Sequence, residues 1–356
     1  MTNTDKTATV SGQSVQAIDR RVSVAPMMDW TDRHCRYFLR GFSADVMLYT
    51  EMITTAAILR GNRDRLLAYD AEEHPLALQL GGSEPAELAA AARVGASFGY
   101  DEINLNCGCP SDRVHSGAFG ACLMLEPTRV AEGVAAMHAA VDLPVTVKMR
   151  IGVVTGHGAA AREAIARYTD EDAAALMGFV AAVRDAGAAA VIVHARKAVL
   201  GGLSPKENRE VPPLRYDVVS AVKQHFPGLP VILNGGLRQS RPVLEALSLF
   251  DGVMLGREAY HRPWLLRELQ AALDPARAGP EPDRTQLLER MARYAARELA
   301  RGERLPTITR HMLGLYAGEP GAREFRRRLS EGARAPGAGA ELLRGAAPAA
   351  PAVGTP

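Results

Sequence analysis

Cysteine is scarce in this chain: four residues, Cys35, Cys107, Cys109 and Cys122, in 356. They form no paired C-x-x-C clusters, and His115, His157 and His194 lack ligand spacing, so a structural zinc site is not expected. Long apolar runs are also missing. None approaches the ~20 residues that cross a bilayer, and the polar stretch Met1 to Arg20 lacks the apolar core of a secretory signal. Reduced thiols in a cytoplasmic protein without a membrane partner are therefore expected. No G-x-G-x-x-G occurs, which argues against a Rossmann domain reserved for a pyridine nucleotide. No RNA-binding module signature and no internal repeat beyond a strand–helix rhythm is present. Lysine disappears between Arg284 and Arg334, where twelve arginines face six acidic residues. The net charge of +2 hides that asymmetry.

Eight strand-like segments alternate with helical patterns: Val22–Pro26, Val46–Tyr49, Leu76–Leu80, Ile103–Leu105, Val145–Lys148, Val191–His194, Val231–Leu233 and Val253–Leu255. They read as apolar throughout rather than alternating, which suits parallel strands covered on both faces. Helices are expected at Pro85–Phe98, with Ser83 as N-cap, and at Thr128–Val141. This order predicts an α/β fold, a (β/α)8 TIM barrel, with a doubly wound sheet as the alternative. The expected division is a flexible segment over 1–20, the barrel over 21–270 and a small all-α domain over 283–332. Residues 333–356, rich in Ala, Pro and Gly, read as a disordered tail.

A barrel should gather its chemistry at the carboxyl ends of its strands. Those ends carry Met27-Met28-Asp29, Glu51, Gln79, Asn106-Cys107-Gly108-Cys109, Lys148, His194, Asn234-Gly235-Gly236 and Gly256-Arg257. The opposite ends carry turn residues such as Pro75, Pro144 and Pro230. Asn234-Gly-Gly and Gly256-Arg257 read as a phosphate cradle or as tight turns. Lys148 and His194 read as two cations for an anionic ligand or as rim ion pairs with Glu51 or Asp29. Cys109, after a glycine and before Pro110, would donate a proton at an ordinary thiol pKa and act as a nucleophile at a lowered one. Arg323 and Arg326, one helical turn apart, suit a polyanion or a solvated helix face.

Taken together, these motifs resemble the tRNA-dihydrouridine synthases, and the A subfamily among them. The resemblance runs from about Val22 to Glu331. It rests on Ser23-Val-Ala-Pro-Met-Met-Asp-Trp-Thr-Asp-Arg, Ala77-Leu-Gln-Leu-Gly-Gly, Asn104-Leu-Asn-Cys-Gly-Cys-Pro-Ser-Asp-Arg-Val, Val193-His-Ala-Arg-Lys, Leu203-Ser-Pro-Lys-Glu-Asn-Arg-Glu and Ile308-Thr-Arg-His-Met-Leu-Gly-Leu. It implies an FMN enzyme that reduces uridine in tRNA to 5,6-dihydrouridine, at D-loop positions 20 and 20a, with NADPH as electron donor and ping-pong kinetics. By that resemblance Pro26, Met27, Met28, Gln79, Lys148, His194, Asn234, Gly235, Gly236, Gly256 and Arg257 bind FMN. Cys109 is the proton donor to uracil carbon 5 after hydride reaches carbon 6. Asn106, Lys206, Arg209, Arg323 and Arg326 contact tRNA. No metal and no obligate protein partner is implied. Two departures stand out: Cys107 replaces the family's usual valine, and the Val153–Asp172 excursion is longer than usual.

Overall fold

The computed structural model describes residues 18–110, 119–156, 158–278 and 283–348. Its strands are β1 (Val22–Val24), β2 (Leu48–Tyr49), β3 (Ile53–Thr54), β4 (Leu76–Gly81), β5 (Glu102–Cys107), β6 (Val145–Arg150), β7 (Val153–Thr155), β8 (Ala190–His194), β9 (Ala198–Leu200), β10 (Val231–Asn234) and β11 (Gly252–Leu255). Eight of them run parallel in the order β1-β11-β10-β8-β6-β5-β4-β2. The ring closes where β1 meets the chain just before β2. Val24 N–H donates to Met47 O at 2.9 Å, and Met47 N–H donates to Val22 O at 3.1 Å. All eight predicted strands are the barrel strands. The additional strands are β3, which pairs with β4, and β7 and β9, which pair with each other in a small second sheet.

Side chains alternate between the two faces of each strand. One set, including Leu78, Leu80, Ile103, Leu105, Val145, Val147, Val191 and Val193, lies in the large core under the helices. The other fills the barrel with Ala25, Met47, Tyr49, Ala77, Ala190, Ile192, Ile232 and Met254. Two strands correct the expectation of unbroken apolar runs. In β5, Glu102, Asn104 and Asn106 alternate with apolar residues. In β6, Thr146, Lys148 and Arg150 do the same. Those polar residues face inward, and pairing of Asn104 with Thr146 and of Asn106 with Lys148 sets their heights.

The helix Pro85–Phe98 forms as expected, with proline in its first turn and Gly99 at φ 89° as a left-handed stop. Its N-cap is Glu84 rather than Ser83, and no side chain caps it. The helix Arg284–Ala300 packs against Arg33–Arg40 from the barrel. Tyr37 and Tyr294 stack at 4.0 Å, and His34 Nδ1 meets Tyr294 Oη at 2.8 Å. Arg33 reaches Glu298 and Glu303. The barrel and the C-terminal helices thus share one continuous core.

Two further expectations need correction. The segment read as a disordered tail continues to pack at least to Pro348. It forms the helix Glu341–Arg344, buries Leu343 completely, and joins Arg344 to Glu289 at 2.7 Å. Its alanines are small apolar filling, and Ala333, Ala340 and Ala346 are buried. Residues 349–356 lie outside the described residues. At the other end, residues 1–17 also lie outside them, but residues 18–20 are held in place. Ile18 packs into the barrel interior and Arg20 Nε donates to Glu102 at 2.8 Å.

Candidate active site

The inward-facing residues at the carboxyl ends of the strands converge. Register places Lys148 beside Asn106, and His194 beside both Arg150 and Asn234. The alternation of β5 separates its two cysteines. Cys107 faces outward into the core, fully buried, and burial pushes its thiol pKa far up. Cys109 lies past the strand end and is partly exposed. Its thiol is close enough to Lys148, Arg150 and Arg209 to affect their titration.

Hydrogen bonds hold the Cys109 loop from three sides. Asn106 Oδ1 accepts the N–H groups of Gly108 at 3.1 Å and Cys109 at 3.0 Å. Ala121 N–H donates to Cys109 O at 2.9 Å. Arg150, absent from the residues expected at the site, donates through Nε to Gly108 O at 3.1 Å. Its Nη1 reaches Asn208 O at 3.0 Å and Lys197 O at 3.3 Å. One buried guanidinium therefore ties the cysteine loop to the Ser204–Arg209 segment. The available signal was Thr-x-Lys-x-Arg alternation in β6, which puts Arg150 on the same face as Lys148.

The mouth is strongly cationic. Burial, and then repulsion from Arg150, lower Lys148 to about 8. Burial chiefly lowers Arg150 to about 9, with Arg209 and Arg196 adding repulsion. His194 is driven well below its usual value by burial and by the charges of Arg150 and Lys148, so it is neutral at pH 7. The positive charge of the mouth therefore rests on Lys148 and the arginines. Glu210, paired with Arg257 at 2.8 Å, is a carboxylate that reaches this group.

The glycines of the expected cradle differ in what they require. Gly235 and Gly236 have φ of +110° and +74°. A Cβ on Gly235 would lie 2.6 Å from the His194 ring, and one on Gly236 would lie 2.4 Å from Leu214. The turn itself therefore demands both glycines. A Cβ on Gly256 would meet nothing within 4 Å, so space remains above β11. Asn234 Nδ2 donates to Met254 O at 2.7 Å, bracing the two strand ends together. Across the mouth, Pro26 and Met27 are partly buried and Met28 is exposed. They lead into Asp29 at φ 63°, whose N–H donates to the Glu51 carboxylate. That left-handed turn costs about 1 kcal/mol for a residue other than glycine.

The residues expected to meet tRNA fall into two groups. Lys206, Arg209, Arg323 and Arg326 are exposed. Arg327 and Arg328 are paired with Glu324, whereas Arg323 and Arg326 have no ion pair among the described residues. Asn106 differs: it is 8% exposed, and its carboxamide is engaged by Gln79 and by the cysteine loop. It lies directly beneath the Cys109 loop. Gln79 is similarly enclosed, bonded to Asn104 and Asn106. Among the described residues no cluster of three His, Cys, Asp or Glu side chains could hold a metal, and no helix is long and apolar enough to cross a membrane.

A family model described as dihydrouridine synthase matches residues 23–350. The tRNA-dihydrouridine(20/20a) synthase of Xanthomonas campestris is 56% identical over 323 residues, covering 91% of each protein. Its counterpart in Pseudomonas aeruginosa is 54% identical over 314 residues, 88% of this chain and 90% of that protein. The Vibrio cholerae protein of the same name is 51% identical over 325 residues, 91% of this chain and 94% of its own. With the barrel, the cysteine loop and these matches in hand, the chain belongs to the dihydrouridine synthase family of enzymes.

Proposed function

We propose that this enzyme reduces uridines 20 and 20a in the D-loop of tRNA to 5,6-dihydrouridine, using FMN and NADPH. The observation that carries the reading is Cys109, held on a braced loop beside a cation-rich mouth at the carboxyl end of the barrel. The residues fit an anionic, phosphate-bearing flavin. Burial and repulsion from neighbouring cations hold Lys148 and Arg150 below their usual values, so an anion beside them would be favoured, and open space lies above Gly256.

Lys148 and neutral His194 would hold the ring system, with Pro26, Met27 and Met28 along its edge. Asn234, Gly235, Gly236, Gly256 and Arg257 would surround the phosphate side. When bound, FMN supplies the electron pair that saturates the uracil 5,6 double bond, and NADPH replenishes it. The substrate base must leave its stack, which costs a few kcal/mol and least in a loop. Negative charge that develops on the uracil carbonyl is stabilised by Lys148 and Arg150. Cys109 donates its S–H proton to carbon 5, and its thiolate, next to the same cations, is reprotonated from water. Lys206, Arg209, Arg323 and Arg326 would bind the tRNA backbone as cations exposed on one chain. A cytoplasmic site of action follows from that substrate.

The test is the purified protein's absorbance spectrum and its product. Bound flavin that bleaches with NADPH and recovers on adding unmodified tRNA, with dihydrouridine found at 20 or 20a, supports the proposal. A colourless protein that binds tRNA, or one that reduces free uracil or dihydroorotate instead, contradicts it.

A further inference from the structure

An unbroken chain of side-chain hydrogen bonds runs through the barrel from its floor to the cysteine loop. Glu102 Oε2 accepts from Arg20 Nε at 2.8 Å. Glu102 Oε1 accepts from Tyr49 Oη at 2.7 Å and Thr146 Oγ1 at 2.5 Å. Thr146 Oγ1 in turn accepts from Asn104 Nδ2 at 2.9 Å. Asn104 Oδ1 accepts from Gln79 Nε2 at 2.7 Å, and Gln79 Oε1 accepts from Asn106 Nδ2 at 2.8 Å. The chain ends at Asn106 Oδ1, which accepts the N–H groups of Gly108 and Cys109. From Glu102 to Asn106 every member is buried.

The direction of these bonds is dictated at the floor. A carboxylate held by a guanidinium can only accept. Thr146 must therefore spend its single hydrogen on Glu102, which leaves its lone pair for the amide nitrogen of Asn104. Asn104 must then turn its oxygen to Gln79, and Gln79 its oxygen to Asn106. Only then does the Asn106 oxygen face the two loop N–H groups. Reversed, its amide nitrogen would confront two donors.

We propose that Glu102, at the opposite end of the barrel from the chemistry, is a positioning residue. Through this one-way relay it orients Asn106 and so sets where the Cys109 thiol sits over the substrate. The proposal rests on the reading of Cys109 as proton donor. Glu102→Gln keeps the shape but removes the constraint. Arg20 still needs an acceptor, so the new amide turns its oxygen to Arg20 and its nitrogen to Thr146 and Tyr49, and the amides above are no longer held to one orientation. Thr146→Val cuts the relay at one link. Tyr49→Phe removes a hydrogen bond from the same buried carboxylate but leaves the polarity intact, because Thr146 still donates.

The experiment uses the flavin-loaded enzyme and records thermal midpoints for all three variants. One readout is the rate of Cys109 alkylation by iodoacetamide, followed by peptide mass spectrometry. Others are flavin bleaching by NADPH and single-turnover dihydrouridine formation. Glu102→Gln and Thr146→Val are expected to change alkylation and slow dihydrouridine formation by about tenfold or more, a scale set by ångström-level misplacement. Their flavin reduction should stay within about twofold. Tyr49→Phe should keep all three rates while losing comparable thermal stability. The relay is refuted if Tyr49→Phe tracks Glu102→Gln in every readout, or if neither Glu102→Gln nor Thr146→Val alters alkylation. Should Cys109→Ala still make dihydrouridine, the proton-donor reading falls. Alkylation of the Glu102 and Thr146 variants then still decides the relay, since it needs no turnover.

Discussion

Cys107 and Cys109 stand two residues apart, and strand alternation gives them different surroundings. One is fully buried core with a thiol pKa pushed far up, and the other is partly exposed beside Lys148 and Arg150. That separation was legible in the sequence, because Gly108 and Pro110 mark where the strand ends. The charge state of the neighbours was not. His194 is neutral through burial and crowding by cations that sit far away in sequence. Lys148 gives a prediction with a definite sign. In the empty enzyme it loses its proton near pH 8 instead of 10.5, and an anionic flavin binds the protonated form. Flavin affinity should therefore fall as pH rises past about 8, by up to about tenfold per unit. Lys148→Met should bind FMN weakly and lose the fall that sets in near pH 8. Fluorescence titration of FMN at each pH checks this, and a wild-type affinity unchanged over that range would remove Lys148 from the site.

At the level of elements, all eight barrel strands and the helix Pro85–Phe98 were legible from apolar runs and turn residues. Less visible was what depends on composition rather than pattern. The alternation in β5 and β6 was present in the sequence, but the flanking apolar residues masked it, so the polar barrel interior was missed. Arg150 was missed with it, since nothing local says that its guanidinium will reach Gly108 and Asn208. The Ala/Pro/Gly-rich segment after Ala333 read as disordered because few residues in it carry a large apolar side chain. Leu343 suffices, because the helix Arg284–Ala300 presents a complementary face. Leu343→Ala should lower stability by about 2–5 kcal/mol, measured by denaturant unfolding. A disordered tail would show no change.

Across the whole molecule, the barrel and the C-terminal helices form one body around a shared core. They join through the stacked Tyr37 and Tyr294 and the buried Glu298. Exposed Arg323 and Arg326 are available for phosphates, while Arg327 and Arg328 are occupied by Glu324. Arg323→Glu with Arg326→Glu should weaken tRNA binding at fixed salt and reduce the slope of log affinity against log salt by roughly 1 per lost contact. Flavin content should stay at the wild-type level. Filter binding over a salt series measures the slope, and an unchanged slope would mean that these arginines do not meet the phosphate backbone.

The most direct measurement of the central claim is a single turnover. Enzyme reduced anaerobically with NADPH is mixed with tRNA lacking dihydrouridine, and flavin reoxidation and dihydrouridine at 20 and 20a are followed together. Wild-type enzyme should form dihydrouridine in step with reoxidation. Cys109→Ala should take up electrons from NADPH at the normal rate yet form dihydrouridine about a hundredfold more slowly or worse. Equal product formation by the two enzymes would contradict the role of Cys109 and the account built on it.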